Sequence, residues 1–437
     1  MGDQDMQVTI VGLNYWPELT GNAPYTTGLA AGLADRGWRV RAVTGYPHYP
    51  MWRVPTEYRG LRMTENISGV SVTRLRPYVP NKPSGLRRLL MEISFGLSSV
   101  FTSWGNPQVV VLVSPALFAV AFAQIKARML PSRPSVVVWV QDIYSLGVAE
   151  TGAMGSRGAR MVAKVESTIL KRADRVVVIH DRFKRYLTSS LGIDPSSIEV
   201  VRNWTHLRLA SVPIDRQKYR AKFGWSDEII VLHAGNMGVK QALENVVEAA
   251  RLADLSGSSI RFILLGDGNQ RSYLEALSKG VTRLEFLDSL DEENFKGALA
   301  AADILLVNEK AGVSEMAVPS KLTSYFTSGR PVLVASGADS ITSEELAAAE
   351  AGVRVDADDP ASLLREALSL GMNTTRAEGL GRSGMAFQVR VLSEEAAISH
   401  YSGLLSSIVL ASGVQPSPSD ETPSVAAAAA SVSARLD

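Results

Sequence analysis

Short, nearly unbroken runs of Val, Ile and Leu recur along this chain, each followed by a turn and then by a stretch whose apolar positions have helical spacing. In the first half they fall at 8–12, 39–45, 109–114, 136–142 and 175–180, and in the second at 229–236, 260–268, 284–288, 303–308 and 330–337. Such runs are what strands covered by helices on both faces require. The repeated order of strand, turn and helix predicts an α/β protein built from two Rossmann-like domains that face a central cleft.

The segment SVPIDRQKYRAKFGW (211–225) is polar, holds a proline and lacks a strand pattern, so the domains are expected over 1–210 and 211–392. A last helical stretch, 393–410, precedes a Pro-, Ser- and Ala-rich tail over 411–437 that offers little to pack and is expected to be disordered. A chain of 437 residues is too long for a single core, which agrees with two domains.

The absence of cysteine excludes a disulfide framework and thiolate metal sites, and the five histidines lack ligand spacing. The opening residues MGDQDMQVTIVG lack the basic-then-apolar order of an export signal, which points to a reducing, cytoplasmic setting. Net charge is +1, but residues 1–210 hold 25 Lys and Arg against 14 Asp and Glu, and the remainder 20 against 30. A basic half suggests an anionic partner. Nucleic acid is disfavoured, because the basic residues form no known module.

No charge occurs from Ile93 to Ile125, yet Ser114 and Pro115 break the run, leaving segments too short for a simple membrane span. The preceding stretch 81–104 sets Lys82, Arg87 and Arg88 ahead of Leu, Ile, Phe and Trp. It reads either as an ordinary domain helix or as one lying peripherally on the inner face of an anionic plasma membrane.

Candidate chemistry sits in the turns after strands. Gly21 to Tyr25 open a helix after the first strand, a geometry that lets backbone N–H groups approach phosphate. At the end of 229–236 and just beyond it come Gly235, Asn236, Gly238 and Lys240, where glycines open the backbone and a lysine can reach a diphosphate. Gly266 and Gly268 repeat the turn, and Pro319, Ser320 and Lys321 begin a further helix. Several such turns at one sheet edge are where an open α/β sheet binds ligand.

The order of NYWPELTGNAPYT, TGYPHYP, WVQD, RNW, AGNMGVKQALENVVEAA, LLGDG and VPSKLTSYFTSGRPV resembles glycosyltransferase family four, the retaining GT-B enzymes, in the branch of colanic-acid-type exopolysaccharide transferases. The resemblance covers about residues 7–405 and implies a donor nucleotide sugar in the C-terminal domain and an acceptor in the N-terminal one, with 393–410 crossing back. It implies that Gly235, Asn236, Gly238 and Lys240 meet the donor diphosphate, although the family often has Arg at the place of Asn236. Gly266 and Gly268 match the turn beside the nucleotide. Gly312 through Glu315 to Ser320 match the loop around the donor sugar, with Glu315 as the first of the family's two glutamates and Pro319, Lys321 and Leu322 alongside.

The second glutamate, which holds the ribose in that family, is replaced by Ser324, a weaker partner. Gly21 joins the donor turns, and Asn22, Tyr25, His48 and Asp142 are the acceptor-side candidates. Retaining enzymes of this type imply a front-face displacement in which the departing diphosphate takes the acceptor proton. The protein then supplies charge stabilisation from Lys240, loop amides and the helix after Pro319. No metal or other cofactor is implied, since the donor is itself the substrate. The expected acceptor is a lipid-linked or cell-surface glycan, and the sugar moved is of hexosyl or N-acetylhexosaminyl type. Two alternatives stay open at this point: a nucleotide-sugar epimerase of the same fold, and a degenerate GT-B scaffold that binds without turnover.

Overall fold

The computed structural model describes residues 6–82, 84–150, 156–204, 214–312 and 320–412. Glu315, Pro319 and the tail from residue 413 lie outside them.

The first sheet holds eight strands: β1 (Gln7–Val11), β2 (Arg39–Gly45), β3 (Arg62–Ile67), β4 (Val70–Leu75), β5 (Val109–Ser114), β6 (Ser135–Val140), β7 (Arg175–Val178) and β8 (Ile198–Val200). Their order is β3-β4-β2-β1-β5-β6-β7-β8. β1 runs parallel to β2 and β5, and β2 to β4. β3 and β4 form an antiparallel hairpin closed by Ser68 and Gly69, which both have positive φ. Two successive residues in that region give the turn whose twist matches paired strands.

The second sheet is parallel throughout: β9 (Ile229–Ala234), β10 (Ile260–Leu265), β11 (Leu284–Leu287), β12 (Ile304–Asn308), β13 (Val332–Ala335) and β14 (Gly352–Val355), in the order β11-β10-β9-β12-β13-β14. Side chains alternate between its faces. Ile230, Leu232 and Ala234 pack with Leu305 and Val334 against helices 292–301 and 320–326, while Val231, Phe262 and Leu306 pack against helices 244–256 and 360–372. Both faces are thus buried, which explains the continuous apolar runs.

The chain divides into two compact units, residues 1–139, 152–176 and 402–437, and residues 140–151 and 177–401. Helix Glu394–Ser412 starts in the second, and from Ser402 it belongs to the first, where Trp38 Nε1 donates to Ser402 Oγ at 3.2 Å. No helix among the described residues is long and apolar enough to cross a membrane.

In the first unit, helices Gly85–Val100 and Leu117–Met129 lie side by side and cap each other with buried charges. Glu92 accepts from Phe118 N at 3.3 Å at the start of the second helix. Lys126 donates to Ser99 O at 3.2 Å and to Thr102 O at the end of the first, over the Trp104 ring. Burial brings Lys126 down to about 8. It pushes Glu92 up to about 7, outweighing the backbone N–H groups and Arg88 that favour the carboxylate.

Glu92 therefore keeps a proton in the folded chain that it loses in the unfolded chain as pH rises past the usual carboxylate range. Its stabilising share is complete below that range, falls up to about pH 7 and is absent above it. Glu92→Gln removes this dependence, so the variant should gain about 3 kcal/mol on the wild type between pH 4.5 and 8, read from urea midpoints. Parallel pH profiles for the two proteins would contradict the assignment.

Candidate active site

Strand order in the second sheet reverses between β9 and β12, and a reversal opens a crevice at the strands' C-terminal ends. These two strands pair only early, Val231 with Ile304 and Leu232 with Leu305. Beyond that point Tyr325 fills the gap: its hydroxyl accepts from Ala234 N at 2.8 Å and faces the carbonyls of Ala234 and Leu306, both at 3.3 Å. Tyr325 is fully buried, so it forms the floor of the crevice.

Two glycine turns interlock above this floor. Gly235 N donates to Leu265 O and Met237 N to Asp267 O, both at 2.8 Å, while Gln270 N returns to Met237 O at 2.9 Å. Gly266 has φ +126°, and a Cβ there would stand 2.3 Å from Gly235 O, so only glycine fits. Arg271 Nη1 holds the Gly266 carbonyl at 2.8 Å.

The short turn Val239–Gln241 carries the exposed Lys240. Asn308, buried at the end of β12, pins that turn by donating to Gln241 O at 2.8 Å and Ala242 O at 3.0 Å, while accepting from Asn245 at 2.8 Å. Lys310 N adds a bond to Lys240 O at 2.9 Å. No carboxylate pairs with Lys240 among the described residues.

Lys321 lies in the first turn of helix Ser320–Phe326. Its Nζ is 3.1 Å from His233 Nε2, and its Cε passes 2.9 Å from where a Cβ on Gly235 would be. His233 is fully buried in β9. Burial, and then the neighbouring Lys321 charge, hold its pKa well below the usual value, against backbone groups of Asn236 and Leu306. Lys321 and the glycine-opened backbone thus meet at the strand ends, with Lys240 on the adjoining turn, an arrangement suited to a ligand with several negative charges.

The Glycosyl transferase 4-like domain matches residues 20–204 and Glycosyl transferases group 1 matches residues 228–373. A protein of Escherichia coli (strain K12) that bears the name colanic acid biosynthesis glycosyl transferase WcaI is 30% identical over 340 residues, 74% of this chain and 82% of its own length. The chain belongs to glycosyltransferase family four. The 2-deoxystreptamine glucosyltransferase of Streptomyces kanamyceticus is 25% identical over 355 residues, 77% of this chain and 90% of its own length. HepE of Anabaena, solved with UDP, is similar with a TM-score of 0.65 at 15% identity, over 92% of this chain and 100% of its own, which marks the fold as GT-B.

In this glycosyltransferase Gly235, Asn236, Gly238, Lys240, Gly266, Gly268, Lys321, Leu322 and Ser324 all fall in the second unit. Asn236 is exposed and its Nδ2 lies 3.4 Å from Gln241 Oε1, which also accepts from Gly238 N at 3.1 Å. The Leu322 side chain is in the core, so only its backbone is available to a ligand. Ser324 is half-buried. Glu315 and Pro319 lie outside the described residues, as does the Ser320 side chain.

Gly21, Asn22, Tyr25 and His48 fall in the first unit, whose strand order reverses between β1 and β5. Asn22 Nδ2 reaches Ser114 O at 3.4 Å across that reversal, and Gly21 is exposed beside it. Tyr25 is half-buried, and burial raises its pKa. His48 is 4% exposed and its Nδ1 donates to Tyr46 O at 2.9 Å, which leaves little of the ring for a ligand. Asp142 is exposed and belongs to the second unit.

Asn308 and His233 fall outside the family's motif stretches, and Tyr325 and Glu18 fall inside them without a role read from the sequence. Glu18 is buried and accepts from His48 N, Tyr49 N and Asn14 Nδ2, all at 2.7 Å, so it fixes the loop after β2 to the loop after β1. Its only sequence signal was an acidic residue inside an aromatic and proline-rich turn.

Proposed function

We propose that this glycosyltransferase moves a hexosyl or N-acetylhexosaminyl group, with retention, from a nucleotide diphosphate sugar to a lipid-linked or cell-surface glycan. What carries the reading is Lys321 crossing the Gly235 turn, with Lys240 on the turn that follows, beside the interlocked glycine turns of β9 and β10. HepE, similar in fold, has been solved with UDP, and the WcaI relative is named for colanic acid biosynthesis. The bond from the sugar's anomeric carbon to the diphosphate oxygen breaks while the acceptor oxygen bonds the same face. The acceptor proton passes to the leaving diphosphate. Lys240 and Lys321 stabilise the negative charge that develops there, so the reading asks for no metal.

The acceptor's lipid fits the first unit. Leu86, Leu90, Leu97 and Phe101 stand 4, 7 and 4 residues apart, on one exposed face of helix 85–100, and Phe101 is 86% exposed just past its end. Ile125 and Met129 of the adjoining helix are also exposed. Lys82, Arg87, Arg88, Arg128 and Arg133 flank this apolar face, and the only acid between residues 82 and 133 is the buried Glu92. An apolar face with a cationic rim suits an anionic lipid surface.

One experiment tests both parts. The protein is mixed with a panel of nucleotide diphosphate sugars and anionic vesicles carrying polyprenyl-diphosphate-linked sugar, then floated on a gradient at low salt. A product with the donor's anomeric configuration, and protein in the floated layer, are expected. An inverted product overturns retention, no transfer from any donor overturns the donor reading, and protein left at the bottom overturns the membrane part.

A further inference from the structure

His233 is a polar residue in the middle of an apolar strand, fully buried, and it touches the one described lysine that crosses the Gly235 turn. A buried histidine needs a partner, and an ammonium can only donate. Nε2 must therefore be the acceptor, and the ring's proton sits on Nδ1. The choice of residue has a consequence for charge. A carboxylate at this place would fix the lysine equally well but cancel its charge, whereas an uncharged ring fixes it without adding a negative charge beside it.

We propose that His233 is a positioning residue, whose Nε2 holds the Lys321 ammonium over the Gly235 turn, ready for the diphosphate of the donor. This rests on the donor-site reading above. Two separate features serve the same lysine path. The missing Cβ of Gly235 makes room for Lys321 Cε at 2.9 Å, and His233 receives Nζ at 3.1 Å. A free lysine has several rotamers to lose when it binds an anion, and a lysine already held loses fewer, so the contact raises affinity by preorganisation.

The test uses calorimetry on the full chain with UDP, GDP, ADP and TDP, and with the monophosphate of whichever base binds best. His233→Phe should weaken diphosphate binding about ten- to hundredfold, the range of one charge-assisted hydrogen bond, and change monophosphate binding less than about twofold. Lys321→Ala should give a similar loss, and adding His233→Phe to it should cost nothing more. His233→Gln, which keeps an acceptor, should recover most of the affinity.

Additive losses in the double variant, an equal loss of monophosphate, or undiminished diphosphate binding by His233→Phe would overturn the proposal. Wild-type protein that binds none of the four diphosphates would overturn the donor-site reading itself, and the proposal with it. Should His233→Phe fail to fold, His233→Leu is read through the same cycle.

Discussion

Lys240→Ala is expected to lower turnover about 100-fold or more, with a smaller change in donor affinity. The reason lies in how the turn is built. Asn308 and Lys310 N hold the backbone of residues 240–242, so the lysine is presented from a fixed base rather than from a loose loop. Its ammonium has no carboxylate partner among the described residues. In the proposed reaction, a cation on this turn meets the diphosphate most strongly when that group takes up negative charge as it leaves. A loss confined to kcat is the mark of such an interaction, and a tenfold change in rate corresponds to about 1.4 kcal/mol. Lys240→Arg should restore part of the rate, because the charge returns but its shape differs. Steady-state kinetics with a saturating donor would check this, and an unchanged kcat in Lys240→Ala would remove Lys240 from the mechanism.

Much of this architecture is legible in the sequence because a doubly covered parallel strand must be apolar at every position. The runs at 8–12, 39–45, 109–114, 229–236 and 303–308 correspond to β1, β2, β5, β9 and β12. What the pattern missed are the strands that obey another rule. β3 is an edge strand whose residues alternate between exposed and half-buried, and β4 carries Arg74, which is buried only because Glu65 and the Trp16 carbonyl receive it. β8 and β14 are short and interrupted by Glu199 in the one and by Gly352 and Arg354 in the other, so neither gives an apolar run.

The site divides along the same line. Glycine turns can be read from sequence because the residue type itself states what the backbone must do. Asn308, Tyr325 and His233 cannot, since each acts through a partner 63 to 91 residues away along the chain. An asparagine closing an apolar strand looks like a strand end until Gln241 and Ala242 are seen beneath it.

Arg202→Ala should destabilise the second unit by about 3–5 kcal/mol, the usual cost of leaving a buried charge without its partner. Glu345, in helix Ile341–Ala349, is 0% exposed, and Arg202 Nε lies 3.0 Å from both of its carboxylate oxygens. His180 Nε2 is 3.3 Å from the same carboxylate. The His180 ring has its Nδ1 occupied by Arg182 N at 3.1 Å, which leaves the proton on Nε2, facing Glu345. One long contact to an imidazole cannot replace a guanidinium, so the carboxylate must be solvated by local opening.

The loss is expected to reach beyond the single residue. Arg202 and His180 come from the stretch matched by the 4-like domain and Glu345 from that matched by group 1, and all three belong to one compact unit. Arg185 with Glu344 and Arg182 with Asp339 O add exposed contacts between the same segments, worth little by themselves. The buried pair therefore decides whether residues 177–204 stay fastened to helix 341–349. Replacing both partners, Arg202→Met with Glu345→Leu, should recover most of the stability, because no charge is then stranded. Urea unfolding followed by circular dichroism distinguishes the cases, and a double variant as unstable as Arg202→Ala would show that packing rather than charge accounts for the loss.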